Sequence, residues 1–304
     1  MANIMTKRGS LDNIVTYEHY CDTKADLANI PENEITLGST AIVLQDEDGA
    51  LGVYIATSDK EWIAMMTTGG SGGGSDAEEN VKALIEGTIK GDFVIPDGTT
   101  VIGAHAFQNQ YQMTSIVIPE GVEEICGGAF SSCIAVKEII TPESCTKINT
   151  SSNLDLLAEG TFNGMIALEK AQFPNVTSFN TSLNSSDTAG HSQFGGSGTN
   201  SESLFIDFPA LLEAGNSLLS GSGVTKCYMP AVTTVGNSFQ GCSKLAEVYI
   251  GPDCTSIGSA AFGGAKSGVV INCGFAEGAV SGAPWAAQNA IINYNVPIPE
   301  VENE

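Results

Sequence analysis

Basic residues are scarce in this chain. Its 304 residues contain 12 lysines and arginines against 35 aspartates and glutamates, which gives a formal net charge of −23. Binding to nucleic acid or to an anionic membrane depends on basic side chains that neutralise phosphates, so the composition excludes both as main partners. Uninterrupted apolar runs are also shorter than the ~18 residues that a membrane helix needs, and we expect no membrane insertion.

Residues that commonly carry catalysis are sparse as well. The three histidines (His19, His105 and His191) lie outside any pattern that would build a nucleophilic triad, and the zinc motif H-E-x-x-H is absent. Eight cysteines occur without a C-x-x-C pair or a nearby histidine cluster. We therefore predict a protein that is not an enzyme and that has no catalytic residues, no metal site and no cofactor.

The beginning of the chain does not look like a secretory signal. An apolar stretch of about 7–15 residues does not follow its positive charges. Without export the cysteines stay in a reducing compartment, where disulfides are rare. We therefore expect synthesis in a cytoplasm and reduced thiols in the core, with disulfides as the alternative.

A Gly/Ser run at residues 69–75 divides the chain. Such a run has no large side chains to pack and behaves as a flexible coil, so we predict a linker at this position. It separates a small β-rich module at 1–68 from a larger domain at 76–295. The remaining residues, 296–304, are acidic, and we expect a loose tail.

The module at 1–68 has the pattern of a short β-meander. Apolar segments at 41–45 and 51–56 flank an acidic turn that contains glycine and predict a hairpin. The segment 61–66 is predicted to be a third strand, and 22–30 a short helix. Because three short strands form a marginal core, we expect the module to form oligomers or to dock on a partner.

The larger domain contains an internal repeat. Its unit has two apolar residues and a proline, then x-x-V/C-T/E-x-I, a stretch of small residues that ends in phenylalanine, and x-x-C/Q-x-x-L/M-x-x-I/V. A unit of roughly 20–29 residues with one short strand is typical of a leucine-rich solenoid, whose neighbouring units share a continuous core. The fold is therefore predicted to be mainly β with short helical turns, with about seven or eight coils. The marker prolines are Pro96, Pro119, Pro142, Pro174, Pro209, Pro230 and Pro252.

Equivalent positions in the repeat identify the predicted interior. Cys133 and Cys242 occupy one equivalent position and Cys145 and Cys254 another, which favours packing over chemistry. The pair Pro284-Trp285 interrupts the repeat and predicts a terminal cap. The predicted aromatic spine is Phe107, Phe130, Phe162, Phe239 and Phe262, and the predicted aliphatic ladder is Ile102, Ile125, Ile148, Val235 and Ile257.

The repeats resemble the BspA-like (treponemal-type) leucine-rich repeats of many bacterial and some protozoan surface proteins. The resemblance rests on I-P-x-x-V-x-x-I-G-x-x-A-F-x-x-C-x-x-L-x-x-I, in copies that begin at Phe93, Val117, Tyr228 and Tyr249, and it covers residues 93–295. It implies a solenoid that adheres to host proteins, glycans or other cells and has no enzyme activity.

Residues 8–65 resemble the opening of structural proteins of phages that infect gut bacteria, in particular head fibre proteins. This resemblance implies that the module attaches to capsid or other virion proteins and that the protein is a homo-oligomer, a trimer or a dimer. We therefore predict a head fibre or capsid decoration that is made in the bacterial host cytoplasm and located on the virion. The alternatives are a tail or baseplate receptor-binding fibre and a bacterial cell-surface adhesin.

The last strand of each unit is the first candidate for a binding surface. Side chains alternate between the two faces of a strand, so every second residue points away from the core. Exposed tyrosines beside polar groups suit contact with a host surface protein or glycan; the alternative is that these residues only complete the sheet. The predicted outward row is Val117, Ile140, Gln172, Asp207, Tyr228 and Tyr249.

Two insertions form the second candidate. The interval from marker proline to marker phenylalanine increases in the third unit, and also in the fourth if Phe194 is its marker. The inserted residues, 149–159 and about 178–192, fall in the same arm of adjacent coils. Insertions on one face of a solenoid often carry binding, and tolerated surface loops are the alternative.

Overall fold

The computed structural model describes residues 5–11, 14–35, 40–45, 52–56, 62–67, 89–95, 97–150, 160–179 and 192–299. The predicted linker at 69–75 and most of both insertions lie outside these ranges. In the described part, two short 3-10 helices, Lys24–Asn29 and Glu32–Glu34, accompany a chain of strands. Neither helix is long and apolar enough to cross a membrane. The strands are β1 (Met5–Leu11), β2 (Ile14–Thr23), β3 (Thr40–Gln45), β4 (Gly52–Ala56), β5 (Trp62–Thr67), β6 (Lys90–Val94), β7 (Val101–Ile102), β8 (Gln112–Val117), β9 (Glu124–Cys126), β10 (Glu138–Ile140), β11 (Lys147–Thr150), β12 (Lys170–Gln172), β13 (Ser178–Phe179), β14 (Phe205–Asp207), β15 (Glu213–Ala214), β16 (Lys226–Met229), β17 (Thr234–Val235), β18 (Glu247–Ile250), β19 (Ser256–Ile257), β20 (Val270–Cys273) and β21 (Ile291–Asn293).

The repeat folds as a mainly β solenoid of about eight turns, as predicted. Most coils contribute one strand to each of two parallel sheets, so the expectation of a single strand per unit is wrong. The x-x-V/C-T/E-x-I segment forms a second strand because the equivalent segments of the preceding and following coils offer backbone hydrogen-bond partners. The first sheet contains β7, β9, β11, β13, β15, β17 and β19, and the second contains β10, β12, β14, β16, β18, β20 and β21, with the β6–β8 pair beside β10.

The predicted aromatic spine is confirmed and is longer than expected. The ring centroids of Phe107 and Phe130 lie 5.3 Å apart and those of Phe130 and Phe162 lie 5.8 Å apart, both stacked. Phe194 stacks on Phe162 at 5.0 Å, which confirms it as the marker of the fourth unit. After Phe194 a buried leucine replaces the ring, and stacking resumes with Phe239 on Phe262 at 5.0 Å. The spine is therefore set by repeat position more than by aromatic character.

The predicted aliphatic ladder is also confirmed. Ile102 pairs with Ile125, and Ile125 with Ile148, in parallel register along the first sheet. Val235 pairs with Ile257 in the same sheet. The sequence pattern missed the rungs between these groups, which are Phe179 and Ala214.

The cysteines take the packing role that their equivalence predicts. All eight are buried, and none is part of a disulfide. The thiol of Cys133 donates a hydrogen bond to the carbonyl oxygen of Phe107 (2.9 Å), and that of Cys242 donates to Leu219 (3.1 Å), each in the preceding coil. Cys145 and Cys254 in turn donate to the carbonyl two residues later. Each pair therefore makes the same contact in its own coil.

The N-terminal module continues the first sheet. The predicted hairpin is β3 and β4, and β5 adds the predicted third strand. β5 then pairs antiparallel with β7 through Met66 and Ile102, and the buried Val53 belongs to the solenoid core. The strands β1 and β2 were not predicted, and the predicted helix at 22–30 is the shorter Lys24–Asn29 turn. The module thus covers the open end of the first coil.

The other end of the core is closed by Trp285, as the break in the repeat predicts. Its ring is fully buried, with a centroid 6.4 Å from that of Phe262 at the end of the spine. The indole nitrogen donates a hydrogen bond to the carbonyl of Ser281 at 2.8 Å. One further strand, β21, then pairs with β20 and completes the second sheet.

Candidate functional site

The predicted outward residues form a continuous row across the second sheet. Ile140, Gln172 and Asp207 are successive partners in parallel register, and Asp207 pairs on with Tyr228 and Tyr249. Val117 sits at the equivalent repeat position on β8, where it pairs with Val94. We call this set the outer row: Val94, Val117, Ile140, Gln172, Asp207, Tyr228, Tyr249, Asn272 and Asn293.

Strand alternation explains why the outer row faces away from the core. Cys227 and Met229, on either side of Tyr228, belong to the main buried core, whereas Tyr228 does not. Ile139 is likewise in the core, while its neighbour Ile140 is exposed. With a side-chain period of two, one parallel register therefore places all these residues on the same face.

The exposure of the side chains differs along the outer row. Val94, Val117 and Ile140 are 57%, 51% and 43% exposed, whereas Asp207, Tyr228 and Tyr249 are only 7%, 6% and 4% exposed. The expectation of exposed tyrosines is therefore wrong. These side chains point outward as predicted, but another part of the chain covers them.

The two tyrosines are covered by the C-terminal segment, residues 296–299. The Tyr249 hydroxyl donates a hydrogen bond to the carbonyl oxygen of Val296 at 3.2 Å, and the Tyr228 hydroxyl donates to Pro299 at 3.1 Å. Burial raises the pKa of both tyrosines above the ordinary value, so both hydroxyls stay protonated donors. This stretch of the predicted loose tail is therefore docked. The prolines at 297 and 299, which favour an extended backbone, are the sequence signal for it.

Asp207 is the unusual polar residue of the outer row. Burial raises the pKa of its carboxyl to about 6, an effect that a hydrogen bond from Gln172 and the nearby charge of Lys170 only partly oppose. Within the part of the chain that the structure describes, the oxygen Oδ1 has no hydrogen-bond partner. A buried carboxylate oxygen without a donor is costly in free energy. Asp207 therefore has capacity for one more donor.

A second outward row flanks the outer row two residues earlier in each strand, and it is largely paired. Lys170 Nζ lies 3.2 Å from Glu138 Oε1, and Lys226 Nζ lies 3.2 Å from Glu247 Oε2. Phe205 lies between the two lysines in the register. Exposed ion pairs of this kind contribute at most about 1 kcal/mol each, so they shape the face more than they stabilise it.

The end of the outer row at β20 and β21 satisfies itself. Asn293 donates a side-chain hydrogen bond to Asn272 at 2.8 Å, and Asn272 donates to Glu247 at 2.9 Å. The outer row thus has four parts: a self-paired end, two tyrosines under the C-terminal segment, an unsatisfied carboxylate and an uncovered apolar end.

The second candidate surface is the pair of insertions at 149–159 and 178–192. Too few of their residues are described to place this surface, and its binding role stays a prediction.

Two parallel sheets that wind around one ladder and one spine define a leucine-rich-repeat solenoid. Residues 89–186 and 190–272 match the BspA type leucine rich repeat region in six copies. These residues make up more than half of the chain, so the chain belongs to the BspA-type leucine-rich-repeat family. No curated protein matches it.

The solved structures that are similar to this chain include three of leucine-rich-repeat proteins. One from Eubacterium ventriosum is 21% identical, over 57% of this chain and 42% of that one, with a TM-score of 0.46. One from Bacteroides ovatus is 18% identical, over 95% and 75%, with a TM-score of 0.33. A leucine rich cell surface protein from Faecalibacterium prausnitzii is 13% identical, over 81% and 93%, with a TM-score of 0.23. The chain thus spans less than half the length of the first of these proteins.

Proposed function

We propose that this chain is a non-enzymatic adhesion protein that binds its target through the outer row. The observation that supports this most is the uncovered apolar end, where Val94, Val117 and Ile140 lie at equivalent positions and are exposed. Lone exposed apolar residues are ordinary, but an aligned set on a rigid sheet is typical of interaction surfaces. The target class is a host surface protein or glycan.

The proposed carrier is a bacteriophage particle, with the chain as a head fibre or capsid decoration. The support is the sequence resemblance of residues 8–65 to structural proteins of gut phages. In this proposal the module at 1–68 holds the capsid and forms a homo-oligomer, and the solenoid points outward. A tail or baseplate fibre would use the same parts in another place.

The second candidate carrier is a bacterial cell surface. It is favoured by membership in the BspA-type family, whose repeats resemble those of surface adhesins. Both carriers use the solenoid for adhesion, so they differ only in what holds the N-terminal module.

Gold-labelled antibody against the solenoid, imaged on purified phage particles and on intact cells of the source culture, distinguishes these carriers. Label on the capsid shell is the expected result, and label at the tail end would move the protein to a receptor-binding fibre. Label on cells and on no particle would overturn the virion proposal in favour of the cell-surface adhesin. Adhesion itself is tested separately, by binding of the purified, fluorescently labelled full-length protein to host cells, where no binding above an unrelated acidic protein would contradict it.

A further inference from the structure

The outer row already holds one ligand, the chain's own residues 296–299. The two tyrosine hydroxyls contact main-chain carbonyls three residues apart, those of Val296 and Pro299. Both hydrogen bonds use the backbone of the segment, and the side chain of Ile298 remains exposed. This part of the face therefore holds a short polypeptide segment through its backbone carbonyls.

The path of this segment points towards the uncovered apolar end of the outer row. Val296 lies at Tyr249 on β18 and Pro299 lies at Tyr228 on β16, one strand further on. The next strands in this direction are β14, β12 and β10, which carry Asp207, Gln172 and Ile140. An extended chain that kept this direction would cross the unsatisfied carboxylate first and the exposed apolar residues next.

The chemistry along this path specifies its occupant. Among the described residues, nothing donates a hydrogen bond to the buried Asp207 Oδ1, so a basic side chain would supply the missing hydrogen bond and neutralise the charge. In the sequence, Pro299 is followed by Glu300 and Glu302 and by no lysine or arginine. The net charge of −23 also favours approach of a cationic partner.

We infer that the outer row from Val94 to Asp207, which is exposed at its apolar end and buried at Asp207, binds an extended segment of a partner protein that pairs a lysine or arginine with Asp207. Apolar side chains of the same segment pack on Ile140 and Val117. Four strand spacings of about 4.8 Å separate the two ends, so a fully extended segment needs at least roughly six residues to span them. The inference rests on the proposed adhesion function and narrows its ligand to protein. The exposed side chains of this site, those of Val94, Val117 and Ile140, are aliphatic and offer no hydrogen bonds to the hydroxyls of a glycan.

The first test places the basic group on the chain's own tail. In the full-length protein, Glu300→Lys with Glu302→Lys is compared with Glu300→Gln with Glu302→Gln, which removes the same negative charges without adding donors. The lysine variant should have a thermal midpoint about 2–4 °C above that of the glutamine variant. In an Asp207→Asn background this difference should vanish. A gain of equal size in that background and in the wild-type background would mean that only net charge matters, and it would overturn the role of Asp207.

The second test supplies the segment as a separate molecule. The probe is a fluorescent peptide of residues 295–304 with both lysine substitutions, extended by Val-Ile-Val. The receptor is the full-length protein with its own segment released by Pro297→Ser, Ile298→Gly and Pro299→Ser. Asp207→Asn and Ile140→Asp should each weaken binding by about tenfold or more, whereas Leu212→Asp, an exposed residue outside the outer row, should not.

The outcomes separate this inference from the adhesion proposal. If the peptide does not bind, or binds the Asp207→Asn receptor equally well, the inference is wrong even where the protein still binds host cells. Competition by a mucin glycan and not by unlabelled peptide would assign the face to sugar and likewise overturn it. Peptide binding without any binding to cells would leave the inference standing and contradict the adhesion function.

Discussion

The Tyr228 hydroxyl donates a hydrogen bond to the carbonyl oxygen of Pro299, which lies 71 residues further along the chain. Tyr249 makes the same kind of contact with Val296, and the two tyrosine rings lie 5.3 Å apart. A pair of side chains that the repeat alone would leave exposed is thereby buried. The C-terminal segment is part of the candidate binding face.

Removal of the two hydroxyls should loosen this segment. Tyr228→Phe combined with Tyr249→Phe keeps the rings and removes both donors, at a net loss of about 0.5–1.5 kcal/mol for each hydrogen bond. We expect faster digestion of the C-terminus by carboxypeptidase and a thermal midpoint lowered by about 2–6 °C. The control is Tyr111→Phe, since Tyr111 is exposed on another part of the surface. Equal digestion of the double variant and the wild type would show that the hydroxyls do not hold the segment.

Asp207 should make stability depend on pH. Its pKa is raised by burial from 3.8 to about 6, so the folded protein holds this proton more tightly than the unfolded chain does. The free energy of unfolding therefore falls as the pH rises through this window, by up to about 3 kcal/mol. Asp207→Asn should match the wild type below pH 3.8 and be more stable at pH 7.

Urea unfolding at pH 3.5, 5 and 7 measures this difference. Asp253→Asn, at an exposed position of the same coil stack, removes the same charge and should show no such trend. A stability gain that is the same at every pH would contradict the assigned ionisation of Asp207. The expected loss of stability at neutral pH is consistent with a residue kept for binding.

The aromatic spine should respond strongly to a cavity. Phe130 is fully buried and stacks on Phe107 and Phe162. Phe130→Ala should reduce the free energy of unfolding by about 3–5 kcal/mol. Phe130→Leu should cost much less, because a leucine occupies the corresponding position after Phe194. A loss below about 1 kcal/mol in urea unfolding of the alanine variant would contradict a continuous spine.

The cysteines should be unreactive in the native protein. Burial raises the pKa of Cys133 to about 12 and that of Cys242 to about 11, so the thiolate that reacts is rare at neutral pH. A maleimide reagent followed by intact-mass measurement should add almost nothing to the folded protein. In denaturant it should add one label to each of the eight cysteines. Fewer labels under denaturing, non-reducing conditions would reveal disulfides.

The repeat made the solenoid core predictable from sequence. Equivalent positions repeat their environment in every coil, so Phe107, Phe130 and Ile125 could be placed before any coordinates. The direction of the outer row followed from strand alternation in the same way. What the repeat could not reveal are contacts that occur once. The pairing of β5 with β7 and the docking of Val296 on Tyr249 join segments distant in sequence, and neither follows from local periodicity.

The substitution of a leucine within the spine shows a second limit of sequence reasoning. At the spine position after Phe194 the buried Leu219 replaces the ring, and the backbone amide of Phe194 bonds to the carbonyl of Leu218. The ring of Phe208 meets Phe194 only edge-on, at 6.2 Å between centroids. An apolar side chain of similar volume fills the same space. A motif that requires phenylalanine therefore misses this coil, although its core is packed in the same way.

We propose that the uncovered apolar end of the outer row is the adhesive surface. The most direct measurement compares binding isotherms of the labelled full-length protein on host cells for the wild type, for Val117→Asp with Ile140→Asp, and for Leu212→Asp. All three changed residues are exposed, so thermal midpoints should stay close to that of the wild type. The double variant should lose at least about tenfold in affinity, while Leu212→Asp should bind as the wild type does. Equal binding by all three proteins would mean that the adhesive surface lies elsewhere on the chain.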